Sequence, residues 1–380
     1  MHQQSGDASL LRRLNTAAIL GSLRTAEVAT LTELAKASRV SRPTAEAIVE
    51  ELLGEGWAEE CAEEPGERQR GRPARRFRFR AAAGHVAGVG IGHTSVRVMV
   101  TDLNGEPAAA GRTPMASGAP ADERLNAVCE LLSRTVAEAG LETAQLAYVG
   151  VGTTGVVDGA GRVVKSIVLP GWSGLDLQRE LSDRLPVPVM VENDMRLAVL
   201  AEHWRGVARE AENVVYLFTG DRVGLGLLIG GRPYRGAHAA SGEIGRQPND
   251  NWAGLRHVID YAMAVEPGEL RGARQSAEFA IARARAGDGK ALEAVRSFGR
   301  GLGAGLIPVV NPFDPEIVVI GGALAFAGDL LVEPIQELLD EYCLYPPRVV
   351  ASGLGSECVT LGAVRIALDQ AERLLFTQTA

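Results

Sequence analysis

From residue 86 onward the chain repeats one pattern: a short apolar run ending near glycine, then a stretch of helical periodicity. The runs VAGVGIG, VRVMVTDL, LAYVGVG, VPVMVE, VVYLF, GLGLLIGG and EIVVIGG are too short for buried helices and rich in β-branched residues, so they are expected to be strands. Between and after them, 123–140, 174–184, 194–205, 291–310, 329–341 and 360–375 carry the helical spacing. Strands alternating with helices specify an α/β architecture. At 380 residues the chain exceeds one compact core, so a further domain is expected.

Composition removes several function classes. No uncharged apolar run is long enough to span a bilayer, and the N-terminus lacks a basic region followed by an apolar stretch, so neither a membrane protein nor a secreted one is expected, and the cytoplasm is the default. Cys61, Cys129, Cys343 and Cys358 are far apart and share no spacing with histidine, which argues against a disulfide framework and a structural metal. A net charge of −8 rules against a protein gripping nucleic acid with its whole surface; a basic patch has to be local.

Such a patch lies in the first 82 residues, which read as a separate, mainly helical domain. Apolar residues from Leu10 to Leu23 recur at helical spacing, and Thr30-Leu31-Thr32-Glu33 matches a capping box at a second helix start. After the turn that follows Ala37, Ser41 can cap a third helix with Ile48, Val49, Leu52 and Leu53 as its buried stripe. That arrangement fits a helix-turn-helix with Arg42, Thr44 and Glu46 on the side where a recognition helix meets base edges and with Ser41, Arg42 and Thr44 as DNA-contact candidates, or an ordinary helical hairpin. The next segment, 68–80, holds seven arginines and no acid. In it Arg76-Phe77-Arg78-Phe79-Arg80 alternates with period two, as a strand with phenyl rings inward does, and Arg-Gly-Arg-Pro before it suits an extended tip in a minor groove. Helix-turn-helix plus basic wing makes Arg68, Arg70, Arg72, Arg75 and Arg76 DNA-contact candidates; the alternative is a solvated basic linker.

Three glycine-rich turns follow strands: Gly88 to Thr94, Thr219 to Gly226 and Ile320 to Ala323, with Val191-Glu192-Asn193-Asp194 between the first two. Glycine lets backbone N–H groups approach phosphate closely. With TDLNG at 101–105, LPGW at 169–172, SGEIG at 241–245 and DPEIVVIGG at 314–322, the chain resembles the ROK family of repressors, open reading frames and kinases over nearly its whole length. The resemblance implies an N-terminal winged helix-turn-helix (1–82) plus a two-lobed actin-like ATPase domain (83–380), with lobe I about 83–195 and a C-terminal helix about 365–380, and lobe II about 196–364.

The family contains both kinases and transcription factors, so single positions decide. Where its kinases carry an acid in the first phosphate turn, this chain has Gly90; His93 replaces a glycine, and Asp221-Arg222 interrupts the second turn. Phosphoryl transfer depends on positioning and charge neutralisation, so no ATP is expected to be used. The zinc-ligating His of many members is Arg246 here, and the following stretch has no cysteine, so no zinc is expected either. Asp194 matches the family's general base, here read as vestigial. The resemblance makes Asn193, Asp194, Glu243, Arg246 and Asp260 the effector-binding set; the alternatives are that Asn193 and Asp194 only cap a helix and that Glu243 is a surface residue. Trp172 either stacks on a sugar ring or packs in the core. The leading expectation is a regulator that binds operator DNA as a homodimer or pair of dimers and responds to a sugar or sugar phosphate. A sugar kinase with an appended DNA-binding head, and a regulator using the large domain only to dimerise, are the alternatives.

Overall fold

The computed structural model describes residues 4–61, 74–220, 222–244, 254–268 and 272–374. The N-terminal part runs α1 (Gln4–Ala26), β1 (Ala29–Thr30), α2 (Leu31–Ala37), α3 (Arg42–Gly54), β2 (Ala58–Cys61) and β3 (Arg76–Phe79), its three strands in the order β1-β3-β2. Local chemistry sets these boundaries. The Thr30 hydroxyl accepts from the Glu33 N–H at 3.3 Å while the Glu33 carboxylate accepts from the Thr30 N–H at 2.8 Å, the reciprocal box expected at the start of α2. The Ser41 hydroxyl accepts from the Thr44 N–H at 3.3 Å and starts α3. In β3 the alternation holds: Phe77 and Phe79 are buried while Arg76 and Arg78 are exposed. The arrangement is a winged helix-turn-helix.

The large domain consists of two sheets of the same design. The first is ordered β10-β7-β4-β5-β6, from β4 (His85–Ile91), β5 (Ser95–Asp102), β6 (Pro107–Pro114), β7 (Leu146–Thr153) and β10 (Val189–Asn193). The short pair β8 (Val156–Val157) and β9 (Val163–Lys165) stands beside it. The second is ordered β13-β12-β11-β14-β15, from β11 (Val214–Thr219), β12 (Val223–Ile229), β13 (Arg232–Pro233), β14 (Ile317–Gly321) and β15 (Arg348–Ala351). In each sheet three consecutive antiparallel strands continue into two parallel ones. This repetition is the two-lobed actin-like architecture. Helices α4 (Ala121–Glu138) and α5 (Leu177–Ser182) cover the first sheet; α7 (Leu255–Val265), α8 (Ala273–Arg285), α9 (Gly289–Phe313) and α10 (Asp329–Tyr342) cover the second. α6 (Asp194–Arg205) and α11 (Cys358–Glu372) pack on each other between the sheets. No helix among the described residues is long and apolar enough to cross a membrane.

All seven expected strands form. Those not anticipated are marginal: β6 is an Ala- and Gly-containing edge strand with no residue fully buried, so it lacks an apolar signature. The helices α7 and α8 lie in a stretch to which the sequence reading assigned no element.

Gly88 of the first turn and Gly150 of β7 have a packing role. A Cβ on Gly88 would stand 2.4 Å from the Thr360 carbonyl oxygen, and one on Gly150 would stand 2.0 Å from that of Ala363. α11 therefore lies directly on the β4 and β7 backbones, an approach only glycine permits. The same helix carries Val364, Ala367, Leu368 and Ala371 into one apolar cluster with Ile19, Leu20 and Leu23 of α1. The N-terminal domain is thus packed on the large one through α11.

Candidate functional site

Asn193 and Asp194 occupy the junction where β10 turns into α6. The Asn193 side-chain oxygen accepts from the N–H groups of Met195 and Arg196, both at 3.0 Å, and its amide donates to the Gly155 carbonyl at 2.9 Å and to Asp194 Oδ1 at 3.0 Å. Asn193 is therefore a helix cap, as one of the two readings had it, and it also orients Asp194. Asp194 Oδ1 accepts from the Met195 N–H at 2.9 Å. Burial raises the Asp194 pKa to about 7, Glu243 adds to the rise, and hydrogen bonds from the backbone oppose it. Glu243 stands exposed near enough for its charge to reach Asp194, so the surface position that was one of its two readings holds, and the two carboxyls can both accept from hydroxyl groups. Glu243 is itself shifted upward by burial, with Arg196 countering. Asp260 is exposed on α7, and no interaction among the described residues joins it to Asp194 or Glu243. Arg246 lies outside the described residues. Trp172 is completely buried and donates from Nε1 to the Thr153 hydroxyl at 2.9 Å, so it packs rather than presents a face to a ligand.

Behind the pair sits an ionic cluster that the sequence reading did not single out. Buried Glu192 accepts from Arg196 Nε at 2.6 Å through one oxygen, and from Arg235 Nε at 2.9 Å and Nη2 at 2.6 Å through the other. Arg196 also donates to the carbonyls of Val157 at 2.7 Å and Ala239 at 3.1 Å. It thereby joins the first lobe to the loop that leads to Glu243. The signal was present as a charged pair four residues apart at a strand–helix junction, but local spacing does not reveal burial.

The first glycine turn is closed by another buried arginine. Arg124 donates to the carbonyls of Gly92 at 2.9 Å, His93 at 3.0 Å and Ala116 at 2.8 Å. A Cβ at Gly90 would find the Thr360 hydroxyl at 3.1 Å. That hydroxyl is the buried side-chain oxygen without a hydrogen-bond partner among the described residues. Thr360→Val, which deletes the orphaned hydroxyl at constant shape, is expected to stabilise the fold by about 1 kcal/mol in urea unfolding. A loss of stability would mean that the hydroxyl is hydrogen-bonded in solution. In the second turn Gly220 N–H donates to the Arg222 carbonyl at 3.1 Å and Arg222 is exposed; Asp221 lies outside the described residues.

On the N-terminal domain, Ser41 and Arg42 are exposed at the start of α3, and the hydroxyls of Ser41 and Thr44 share a hydrogen bond of 2.7 Å. Arg75 forks onto Glu60 at 3.0 and 2.9 Å, pairs with Glu50 and lies 5.0 Å above the Phe77 ring. Its guanidinium is committed to bracing β3 against β2 and α3. Arg76 remains exposed and lowers the pKa of Glu33 slightly through its charge, behind the larger effect of the Thr30 hydrogen bonds. Arg68, Arg70 and Arg72 lie outside the described residues.

Comparison with known proteins adds to this geometry. The xylose repressor of Caldicellulosiruptor bescii is 21% identical over 391 residues, covering 96% of this chain and 98% of that protein. The glucokinase of Thermotoga maritima is 30% identical over 266 residues, covering 61% of this chain and 84% of that one. Among solved structures, a ROK family transcriptional regulator described as a homolog of E. coli MLC protein superposes with a TM-score of 0.75 at 22% identity, covering 96% of this chain and 98% of its own. The ROK family glucokinase from Streptomyces griseus in complex with glucose and AMPPNP superposes with a TM-score of 0.65 at 23% identity over 75% of this chain. Since the ROK family model matches residues 86–370, most of the sequence, the chain belongs to the ROK family.

Proposed function

We propose that the protein is a DNA-binding transcriptional repressor whose cleft at Asn193, Asp194 and Glu243 binds a sugar or sugar phosphate, and that it reads operator DNA as a homodimer. The observation that carries the reading is the winged helix-turn-helix packed through α11 on the lobe that holds the cleft, in a chain that repressor relatives match end to end. In this reading Arg42 reaches base edges and Arg76 lies beside the wing. The wing arginines Arg68, Arg70 and Arg72 supply phosphate and minor-groove contacts.

The kinase reading draws its support from Asp194, whose pKa of about 7 is what a general base requires. A bound nucleotide would have to bring its metal to a first turn with glycine at position 90 and its phosphates to a second turn interrupted by Asp221-Arg222, and these residues do not fit that role. Zinc fits no better: residues 238–260 offer His238 and His257 and no cysteine, where a tetrahedral site needs four ligands.

Arg42→Ala is expected to cost about 1–3 kcal/mol on the operator and little on scrambled DNA, measured by fluorescence anisotropy at several salt concentrations. Equal losses on both duplexes would place Arg42 on the phosphate backbone. ADP release with a panel of sugars tests the alternative, and robust turnover abolished by Asp194→Asn would overturn the non-enzymatic reading.

A further inference from the structure

The reading head and the large domain do not meet flush. Between α1, β10, α6, the β13 hairpin and α11 lies a cavity of about 980 Å³. Arginines dominate its lining: Arg24, Arg196, Arg232, Arg235, Arg365 and Arg373 face three carboxylates, an excess of three positive charges. Each carboxylate is already held by arginine. Glu192 is bound by Arg196 and Arg235, Asp369 by Arg365, and Glu372 by Arg24. Burial raises the pKa of Asp369, against the pull of Arg365. Exposed Arg232 has no carboxylate partner among the described residues.

We propose that this cavity binds a small, multiply charged, phosphate-bearing compound. Arg24, Arg196, Arg235 and Arg365 are engaged with the lining carboxylates, so the net excess of three positive charges and the exposed fork of Arg232 are what favour a di- or trianion over chloride. The volume is at the upper end of ordinary ligand sites and far exceeds a single phosphate ion, so the anion carries an organic body. Leu20, Leu197, Leu200 and Ile366 supply the apolar wall for it. The site is separate from the hydroxyl-binding cleft yet adjoins it, because Glu192 lines the cavity while the next two residues form the cleft. An occupant touches α1 on one side and α11 on the other, and so bears on how the head sits on the large domain. Binding does not depend on the function proposed above; only its consequence for DNA rests on that reading.

Isothermal titration of the full chain with pyrophosphate, at ionic strength held constant with sodium chloride, is expected to show one saturable site per chain. The double variant Arg232→Glu/Arg373→Glu turns the excess of three positive charges into a deficit of one and should weaken binding about tenfold or more. Arg232→Ala should weaken it less, and serves if the double variant does not fold. Asp194→Asn should bind pyrophosphate like wild type. Absence of saturable binding, or affinity untouched by both arginine variants, overturns the proposal. Citrate binding as tightly as pyrophosphate overturns the assignment to phosphate in favour of any polyanion. Pyrophosphate that binds but leaves operator affinity unchanged overturns the coupling to the reading head.

Discussion

Asp194→Asn is expected to make the protein more stable at pH 8 and no more stable at pH 4. The folded-state pKa of about 7 lies above the ordinary carboxylate value of 3.8, so the native protein holds this proton more tightly than the unfolded chain does. The stabilising contribution is complete below the unfolded value and is lost as pH rises through about 7. Asparagine keeps the hydrogen-bonding oxygen and cannot ionise, so the variant escapes that loss. The full shift corresponds to about 4 kcal/mol, and about 2 kcal/mol is a realistic expectation for a carboxyl only partly removed from water. Melting temperatures of both proteins across pH 4–9 measure it, and parallel curves would show that Asp194 is ionised throughout. The same change should cost an effector that donates hydroxyls about 1.5–3 kcal/mol of binding, since the charged acceptor is gone. Gain in stability with loss of ligand response is what a carboxylate retained for binding predicts.

Arg196→Ala should cost about 3–5 kcal/mol of folding free energy, the range for breaking a buried pair and leaving one charge behind. The guanidinium is almost fully buried, and burial lowers its pKa against the favourable pull of Glu192. Its removal leaves Glu192 with Arg235 alone and takes a donor from each of two backbone carbonyls in different parts of the molecule. Lysine should not rescue the site, because a single ammonium cannot reach Glu192, Val157 and Ala239 together. Glu192→Gln in the Arg196→Ala background should recover part of the loss, giving a coupling energy of about 1–3 kcal/mol in a double-mutant cycle. Additive effects would mean that the two residues do not depend on each other. Because Arg196 connects the loop before Glu243 to β8, the variant should also blunt effector response at temperatures where it is still folded.

The most legible features were those generated by neighbours in sequence. The seven apolar runs became strands because a run of Val, Ile and Leu has little alternative once helices cover both sides. The Thr30–Glu33 box, the Ser41 cap and the Arg-Phe alternation of β3 each involve residues at most four apart. Residues 191–194 stood out for the same reason: three polar residues, Glu192, Asn193 and Asp194, follow one another at the end of an apolar strand, and Asn193 caps the helix that comes next.

Tertiary structure decided which charges are buried and what they face. Nothing local distinguishes Arg196, in a buried three-way ion pair, from exposed Arg209, or shows that Arg124 closes a turn thirty residues earlier in the chain through carbonyl oxygens alone. Arg75, one of the arginines read as a DNA contact, is braced by Glu50 and Glu60 from two other elements. Gly88, read as part of a phosphate-facing turn, and Gly150, read only as part of an apolar strand, are required by a helix that arrives more than two hundred residues later. Asp260 took a place on the solvent face of α7 because Val258, Tyr261 and Ala262 face the core. The chain alone determined the seven apolar strands, the caps and the family. Partners brought together by the packing of α1, α6 and α11 set the charge state of Asp194 and the arginine-lined cavity, because burial and opposing charge are properties of the assembled molecule.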